Sequence, residues 1–314
     1  MKAVRIHEHG DISVLKWESI PKPQLNKKGD DVLVRIIASS INHLDIWVRQ
    51  GILGLPLPHI LGSDGSGIVE SCGCKVSEFH PGDEVIVQPL TFCGTCDNCL
   101  NGMENYCSEM GILGKTMNGT QCEYVQLKSY QLRKKPSHLS FPDAAAFSLV
   151  AQTAYAMLVK RAKIKAGEKV FIWGAGSGVG SMAIQIANYF GCTVYAAAGT
   201  DEKVNMAIKL GAEKAWNYKK SDVGSMVKNN VGRSGVDVVF EHVGHKTWDI
   251  SKKMLAIGGR LVTCGATTGS DVSIDLRHLF MKQQSVLGST MSNMKTCLLY
   301  TSPSPRDATL SRMP

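Results

Sequence analysis

The sequence contains no run of 18 apolar residues, no block of five like charges and no internal repeat. The first absence leaves no candidate for a membrane-spanning helix. The second argues against a nucleic-acid surface, because the net charge of +8 is spread along the chain instead of gathered into a patch. A secretory signal is also missing from the opening MKAVRIHEHG, which passes straight into a strand-like pattern. The expectation is a soluble cytoplasmic protein with neither membrane nor nucleic acid as a partner.

What is present suits a packed protein. With 314 residues and 44% hydrophobic content, the chain can build two domains, each with its own core. Ten cysteines would suit a disulfide framework in a short secreted chain, but four of them cluster at metal-ligand spacing and the rest are scattered. A reducing compartment fits that distribution better.

Patterning divides the chain. Strands are expected over 32–37, 67–72, 84–89 and 123–127, separated by Gly, Pro and Asp turns. Pro142 then opens DAAAFSLVAQTAYAMLVKRA, a long bridging helix with proline in its first turn. From Lys169 onward, six strands (KVFIW, TVYAAA, KAWNY, VDVVFEHVG, RLVTCG and SVLGSTM) alternate with helices. Parallel strands need crossover connections, so the fold class is α/β: a doubly wound parallel sheet with a second, mostly β domain. The expected boundaries are 1–140, 141–293 and 294–314. Periodicity stops after Asn293, and CLLYTSPSPRDATLSRMP fits neither helix nor strand. That stretch resembles a translated sequencing adapter and is read as a non-native tail, with an ordinary disordered tail as the other reading.

Cys93, Cys96, Cys99 and Cys107 stand at C-x2-C-x2-C-x7-C spacing in a turn-rich segment. Four thiolates complete a tetrahedral Zn2+ site and leave no position open for substrate, so the expected role is structural. A reduced thiol cluster, a disulfide pair and an iron–sulfur cluster are the competing readings.

The turn WGAGSGVG follows the strand KVFIW and opens an amphipathic helix. In that context backbone N–H groups and a helix N-terminus meet a pyrophosphate, as in a Rossmann domain. Gly174, Gly176, Gly178 and Gly180 allow close approach, with Ser177 and Val179 completing the turn, although the spacing is not strictly G-x-G-x-x-G. At the end of the next strand an acidic residue would take the ribose 2′-hydroxyl, yet Ala198 stands there, followed by Gly199, Thr200 and Lys203. Without a repelling carboxylate a 2′-phosphate is tolerated, which favours NADPH over NADH. Asp201 and Glu202 are the alternative ribose acceptors, or else helix-capping carboxylates.

LGSDGSGIVE, PGDEV, the four-cysteine lobe, GAGSGVG, GGRLVTCGATTG and GSTM together resemble the medium-chain dehydrogenase/reductase superfamily of zinc alcohol dehydrogenases and quinone oxidoreductases. The resemblance runs from residue 1 to the region of Asn293. It implies a GroES-like catalytic domain completed by a C-terminal return, a Rossmann domain, and substrate and nicotinamide in the cleft between them. Where the family carries the cysteine, histidine and cysteine of its catalytic zinc, this chain reads Asn42, Ser63 and Leu149. The resemblance thus implies structural zinc without catalytic zinc. His43, His59 and Asp64 are candidates for an unorthodox site, against the commoner structural role of isolated histidines.

Without a Lewis acid, an unactivated alcohol is a poor substrate, whereas a quinone or α,β-unsaturated carbonyl spreads the charge that hydride delivers. The expected activity is an NADPH-dependent reduction of such an acceptor, with zinc-dependent alcohol dehydrogenation as the alternative. The resemblance implies Asn42 as donor to the acceptor's oxygen, with Asp45, Trp47 and Thr153 as candidate cleft residues. Each has a plainer reading: Asn42 as a turn residue, Asp45 as a cap, Trp47 as core and Thr153 as a helix hydroxyl. Tyr218, Val243, Gly244, Cys264, Gly265, Ala266, Gly288 and Ser289 fall near strand ends, where the family's cofactor lies. A homodimer or homotetramer joined through SVLGSTM is also implied, because an exposed strand edge favours pairing.

Overall fold

The computed structural model describes residues 1–51 and 55–296, so all of the expected 294–314 tail but its first three residues lies outside the described residues. By contacts the described residues form two compact units, Val150–Ser292 and Met1–Leu149, the latter with Asn293–Thr296.

The first unit contains β1 (Lys2–Ile6), β2 (Lys16–Ser19), β3 (Asp31–Ser39), α1 (His43–Gly51), β4 (His59–Ile60), β5 (Gly65–Cys72), β6 (Glu84–Val87) and β7 (Leu90–Thr91). It continues with α2 (Asp97–Leu100), β8 (Gly111–Ile112), β9 (Tyr124–Lys128), β10 (Leu132–Lys134) and the start of α3 (Phe141–Tyr155). Five strands form an antiparallel sheet in the order β10-β6-β5-β3-β9. Alternation explains it: in β9, Val125 and Leu127 turn inward onto Val32, Val34, Val69 and Val85, while Gln126 and Lys128 stay half-exposed. Short strands make two smaller sheets, β2-β1-β4 and β7-β8.

The expected strands all occur. Elements of this unit not expected are α1, α2 and the short β2, β4, β7, β8 and β10, the strands being too brief to show a period. Asn293 donates its side-chain N–H to the Gly102 carbonyl at 2.6 Å, and the Met294 N–H reaches the Glu104 carboxylate at 3.2 Å.

The helix α3 begins with Pro142 in its first turn and passes into a π-helical turn, Ala156–Arg161. The division between units falls inside it, between Leu149 and Val150, where the sequence reading put the boundary at 140/141.

The second unit is β11 (Lys169–Ile172), α4 (Gly178–Tyr189), β12 (Thr193–Ala198), α5 (Asp201–Lys209), β13 (Lys214–Asn217), α6 (Val223–Val231), β14 (Val236–Glu241), α7 (His245–Met254), β15 (Leu255–Thr263), α8 (Leu276–Met281) and β16 (Ser285–Gly288). All six strands are parallel, in the order β13-β12-β11-β14-β15-β16. Chain direction across the sheet reverses between β11 and β14, which opens the ligand crevice of such folds at their carboxyl ends. Fully buried runs such as Val170-Phe171-Ile172 and Val238-Val239-Phe240 suit strands covered on both faces. Among the described residues no helix is long and apolar enough to cross a membrane.

Candidate active site, cofactor crevice and cysteine lobe

In the first unit, the register of β3 against β5 pairs Ser39 with Gly65. This sets Ser40, just beyond β3, beside Asp64, just before β5. The Asp64 carboxylate, wholly buried, accepts from the Ser40 hydroxyl and from Asn42 Nδ2 at 3.1 Å on one oxygen, and from the Leu149 N–H at 3.2 Å on the other. Asn42 Nδ2 also lies 3.3 Å from Ser40 Oγ. Asp45, in the first turn of α1, accepts the Asn42 N–H at 2.7 Å and the Gly62 N–H at 3.0 Å. The bond to Asn42 is the back-reaching half of a capping box and explains why α1 starts there. Burial lifts the Asp64 carboxyl to about 6, with the neighbouring Asp45 charge adding to the rise, and burial also raises Asp45.

Asn42 and Asp45 therefore stand together. Thr153 belongs to the second unit, half-buried in α3. Trp47 is not core: it is 36% exposed and meets His43 edge-on at 4.9 Å, because α1 turns Val48 inward instead, onto Ile6, Val14 and Leu61. His59 is buried with Nε2 on the Gly114 carbonyl at 3.0 Å, and burial lowers its pKa. Among the described residues, the only group of three or more side chains able to hold a metal is the cysteine lobe, so His43, His59 and Asp64 do not assemble into a second one.

In that lobe the sulfurs of Cys93, Cys96, Cys99 and Cys107 lie within 4.8 Å of one another. Cys96 Sγ lies 3.5 Å from Cys99 Sγ, and Cys93 Sγ lies 3.6 Å from Cys107 Sγ and 3.8 Å from Cys99 Sγ. A tetrahedral zinc with bonds of ~2.3 Å spaces its sulfurs ~3.8 Å apart, so the donor set fits that ion. The N–H groups of Thr95 and Cys96 hold the Cys93 thiol below its ordinary range, while burial and the neighbouring sulfurs push the Cys99 thiol up to about 12.

In the second unit the glycine turn leaves β11 at Trp173. Gly174 has φ +58°, and a Cβ there would strike the His242 ring, whose Nε2 lies 2.9 Å from the Trp173 carbonyl oxygen. A side chain at Gly176 would collide with the stem of Lys203, which therefore runs against the turn. Ser177 caps α4, accepting the Gly180 N–H at 3.0 Å. Gly178 and Val179 open that helix, so their N–H groups are among those with no helical acceptor.

At the neighbouring strand end β12 stops at Ala198, and Thr200 caps α5 by accepting the Lys203 N–H at 3.3 Å. The Asp201 carboxylate is engaged by Asn217 Nδ2 at 2.7 Å and by the Lys220 ammonium. The ring of Tyr218, 48% exposed, lies over Gly199. Val243 and Gly244 follow β14, and Cys264, Gly265 and Ala266 follow β15. Burial pushes the Cys264 thiol up to about 12, as for a packing residue. Gly288 ends β16, and the Ser289 N–H bonds to the Thr263 carbonyl at 2.8 Å. Sequence reasoning overlooked Ser40, Glu241 and His242; only Glu241, an acid closing an apolar strand, left a signal.

Comparison with known proteins bears on this arrangement. Residues 28–137 match the alcohol dehydrogenase GroES-like domain family, and 178–300 match the zinc-binding dehydrogenase family. A crotonyl-CoA carboxylase/reductase of Cereibacter sphaeroides is 30% identical over 93% of this chain and 75% of its own length. The chain belongs to the medium-chain dehydrogenase/reductase superfamily. It is an NAD(P)-dependent oxidoreductase of that type. Human quinone oxidoreductase is 29% identical over 93% of the chain and 80% of its own length. A solved NAD-dependent alcohol dehydrogenase is 41% identical, with TM-score 0.90 over 94% of this chain and 86% of that one. The zinc-binding dehydrogenase match runs to residue 300, past the point where sequence periodicity fades.

Proposed function

We propose that this protein is an NADPH-dependent reductase of quinones or α,β-unsaturated carbonyls that works without a catalytic zinc and carries a structural Zn2+ on Cys93, Cys96, Cys99 and Cys107. One observation carries the reading. The side chains bonded to Asp64 are those of Ser40 and Asn42, with Asp45 bonded to the Asn42 backbone, and among the described residues no group of three His, Cys, Asp or Glu side chains able to hold a metal gathers there. Hydroxyl and amide groups are poor zinc ligands but good hydrogen-bond donors.

The bound cofactor supplies a hydride to the acceptor. The chain's part is to hold the acceptor oxygen and stabilise the charge that develops there. Asn42 has two Nδ2 protons; Asp64 Oδ1 and Ser40 Oγ, bonded to each other, lie on the same side of Nδ2 and share the first of them at 3.1 and 3.3 Å. The second is the proton an acceptor oxygen takes. Asp64 orients the carboxamide, and Asp45 fixes the backbone that carries it. NADPH over NADH is supported by the diversion of Asp201 to Asn217 and Lys220, and by the position of Lys203 against the glycine turn. The outer edge of β16, the last strand of its sheet among the described residues, with Val286 exposed, supports assembly into a homodimer or homotetramer.

A second reading has its own support in the 41% identity to an NAD-dependent alcohol dehydrogenase. The deciding experiment follows cofactor absorbance with a small quinone, an enone and a primary alcohol, with and without a chelator. NADPH oxidation by the quinone or enone that is indifferent to chelation is expected. Alcohol-dependent reduction of NAD+ that a chelator abolishes would replace the first reading with the second.

A further inference from the structure

We propose that Glu241 is a positioning residue for the dinucleotide, joining the loop after β14 to the strand end that leads into the glycine turn. The inference rests on the dinucleotide reading of that crevice and extends it to a residue outside the crevice.

Glu241 is the last residue of β14 and is completely buried, and the partners of its carboxylate are neutral donors. One oxygen accepts the N–H groups of Val243 at 2.7 Å and Gly244 at 3.1 Å. The other accepts the Ser251 hydroxyl at 2.7 Å, and the Thr247 hydroxyl lies 2.9 and 3.0 Å from the two oxygens. Ser251 accepts in turn from Trp173 Nε1 at 2.8 Å. His242 returns the connection, its Nε2 lying 2.9 Å from the Trp173 carbonyl oxygen. Register explains the closure: Ile172 pairs with Phe240, so Trp173 and Glu241 leave adjacent parallel strands side by side.

The circuit runs from Trp173 through Ser251, Glu241 and His242 back to Trp173. A buried carboxylate tolerates this setting because every group aimed at it is a donor. Two positions follow from it. The loop Val243-Gly244 is tied down at its own N–H groups, and the His242 ring is pressed against Gly174, where a Cβ would meet it at 2.7 Å. The circuit thus fixes in one geometry the two backbone stretches that meet the middle and nicotinamide parts of a dinucleotide. The adenosine end, at Thr200, Lys203 and Tyr218, is served by other bonds.

That separation supplies the test. NADPH and adenosine 2′-monophosphate are titrated into the 314-residue chain and into its Glu241→Gln and Ser251→Ala variants, by fluorescence and calorimetry. The Gln amide places an N–H2 group among donors, whereas Ser251→Ala removes a single link and keeps the fold accessible if Glu241→Gln does not fold. NADPH affinity at least tenfold weaker, with adenosine 2′-monophosphate affinity unchanged, is expected in each variant that folds. Equal weakening of both ligands would assign Glu241 a purely structural role and overturn the inference, as would unchanged NADPH affinity in both variants. An unsubstituted chain that binds no NADPH would remove the dinucleotide reading and this inference together.

Discussion

Asp64 holds Asn42 by its side chain and Leu149 by its backbone N–H, one carboxylate oxygen to each, at 3.1 and 3.2 Å. These two bonds and the Ser40 hydroxyl are its compensation for complete burial. They are incomplete compensation, since burial still lifts the carboxyl to about 6 from 3.8. The folded state therefore binds the proton more tightly than the unfolded state does. Stability contributed by the protonated form is fully present below pH ~4 and lost as pH rises through ~6, about 3 kcal/mol in all. Denaturant unfolding at a series of pH values, for the protein and Asp64→Asn, isolates this group. The variant's stability relative to the parent should rise between pH 4 and pH 7; a difference that does not vary with pH would show that Asp64 is not the titrating group.

Asn42 is the donor whose removal tests the chemistry. In Asn42→Ala, kcat for a quinone or enone should fall by about 100-fold, the usual effect of deleting one donor to a developing oxyanion. KM for NADPH should stay within about twofold, because Asn42 is assigned to the acceptor oxygen and not to the cofactor. Unchanged turnover would take Asn42 out of the mechanism.

Much of this was legible in the sequence, for physical reasons. Apolar runs such as VFI and VVF, punctuated by Gly turns, specify buried parallel strands without needing distant partners. The cysteine spacing works similarly, since residues three apart in a tight turn meet whatever surrounds them. The Ser40–Asn42–Asp64 site was not readable as a unit, because it depends on pairing Ser39 with Gly65 across two strands. Trp47 misled for a related reason: nine residues of α1 expose one face and bury another, and only packing on Ile6 and Leu61 decides which.

Lys203 should decide cofactor preference. A lysine bond to a 2′-phosphate is charge-assisted and absent with NADH, so Lys203→Ala should raise KM for NADPH by about 10- to 100-fold. KM for NADH should barely move. Equal losses with both cofactors would mean that Lys203 acts through its packing on Gly176 and not through its charge.

The edge of β16 makes a claim about assembly. Val286→Lys places a charge on the exposed last strand and should move the protein to monomer in sedimentation experiments, since charged edges resist pairing. An unsubstituted protein that is already monomeric at micromolar concentration would remove β16 as an interface.

The cysteine lobe gives the last prediction. Sulfur separations of 3.5 to 3.8 Å for Cys96–Cys99, Cys107–Cys93 and Cys93–Cys99 suit four bonds to a single ion. Elemental analysis should find one zinc per chain, and Cys96→Ser should lose it, because three thiolates and a hydroxyl bind this ion less well than four thiolates. Loss of zinc should expose the segment around Asn98 to proteolysis while NADPH binding persists, because the glycine turn is built by the second unit alone. Two zinc ions per chain would contradict the metal-free active site and restore alcohol dehydrogenation as the leading activity. Zinc retained in Cys96→Ser would contradict the ligand assignment instead, so the two results separate the two claims.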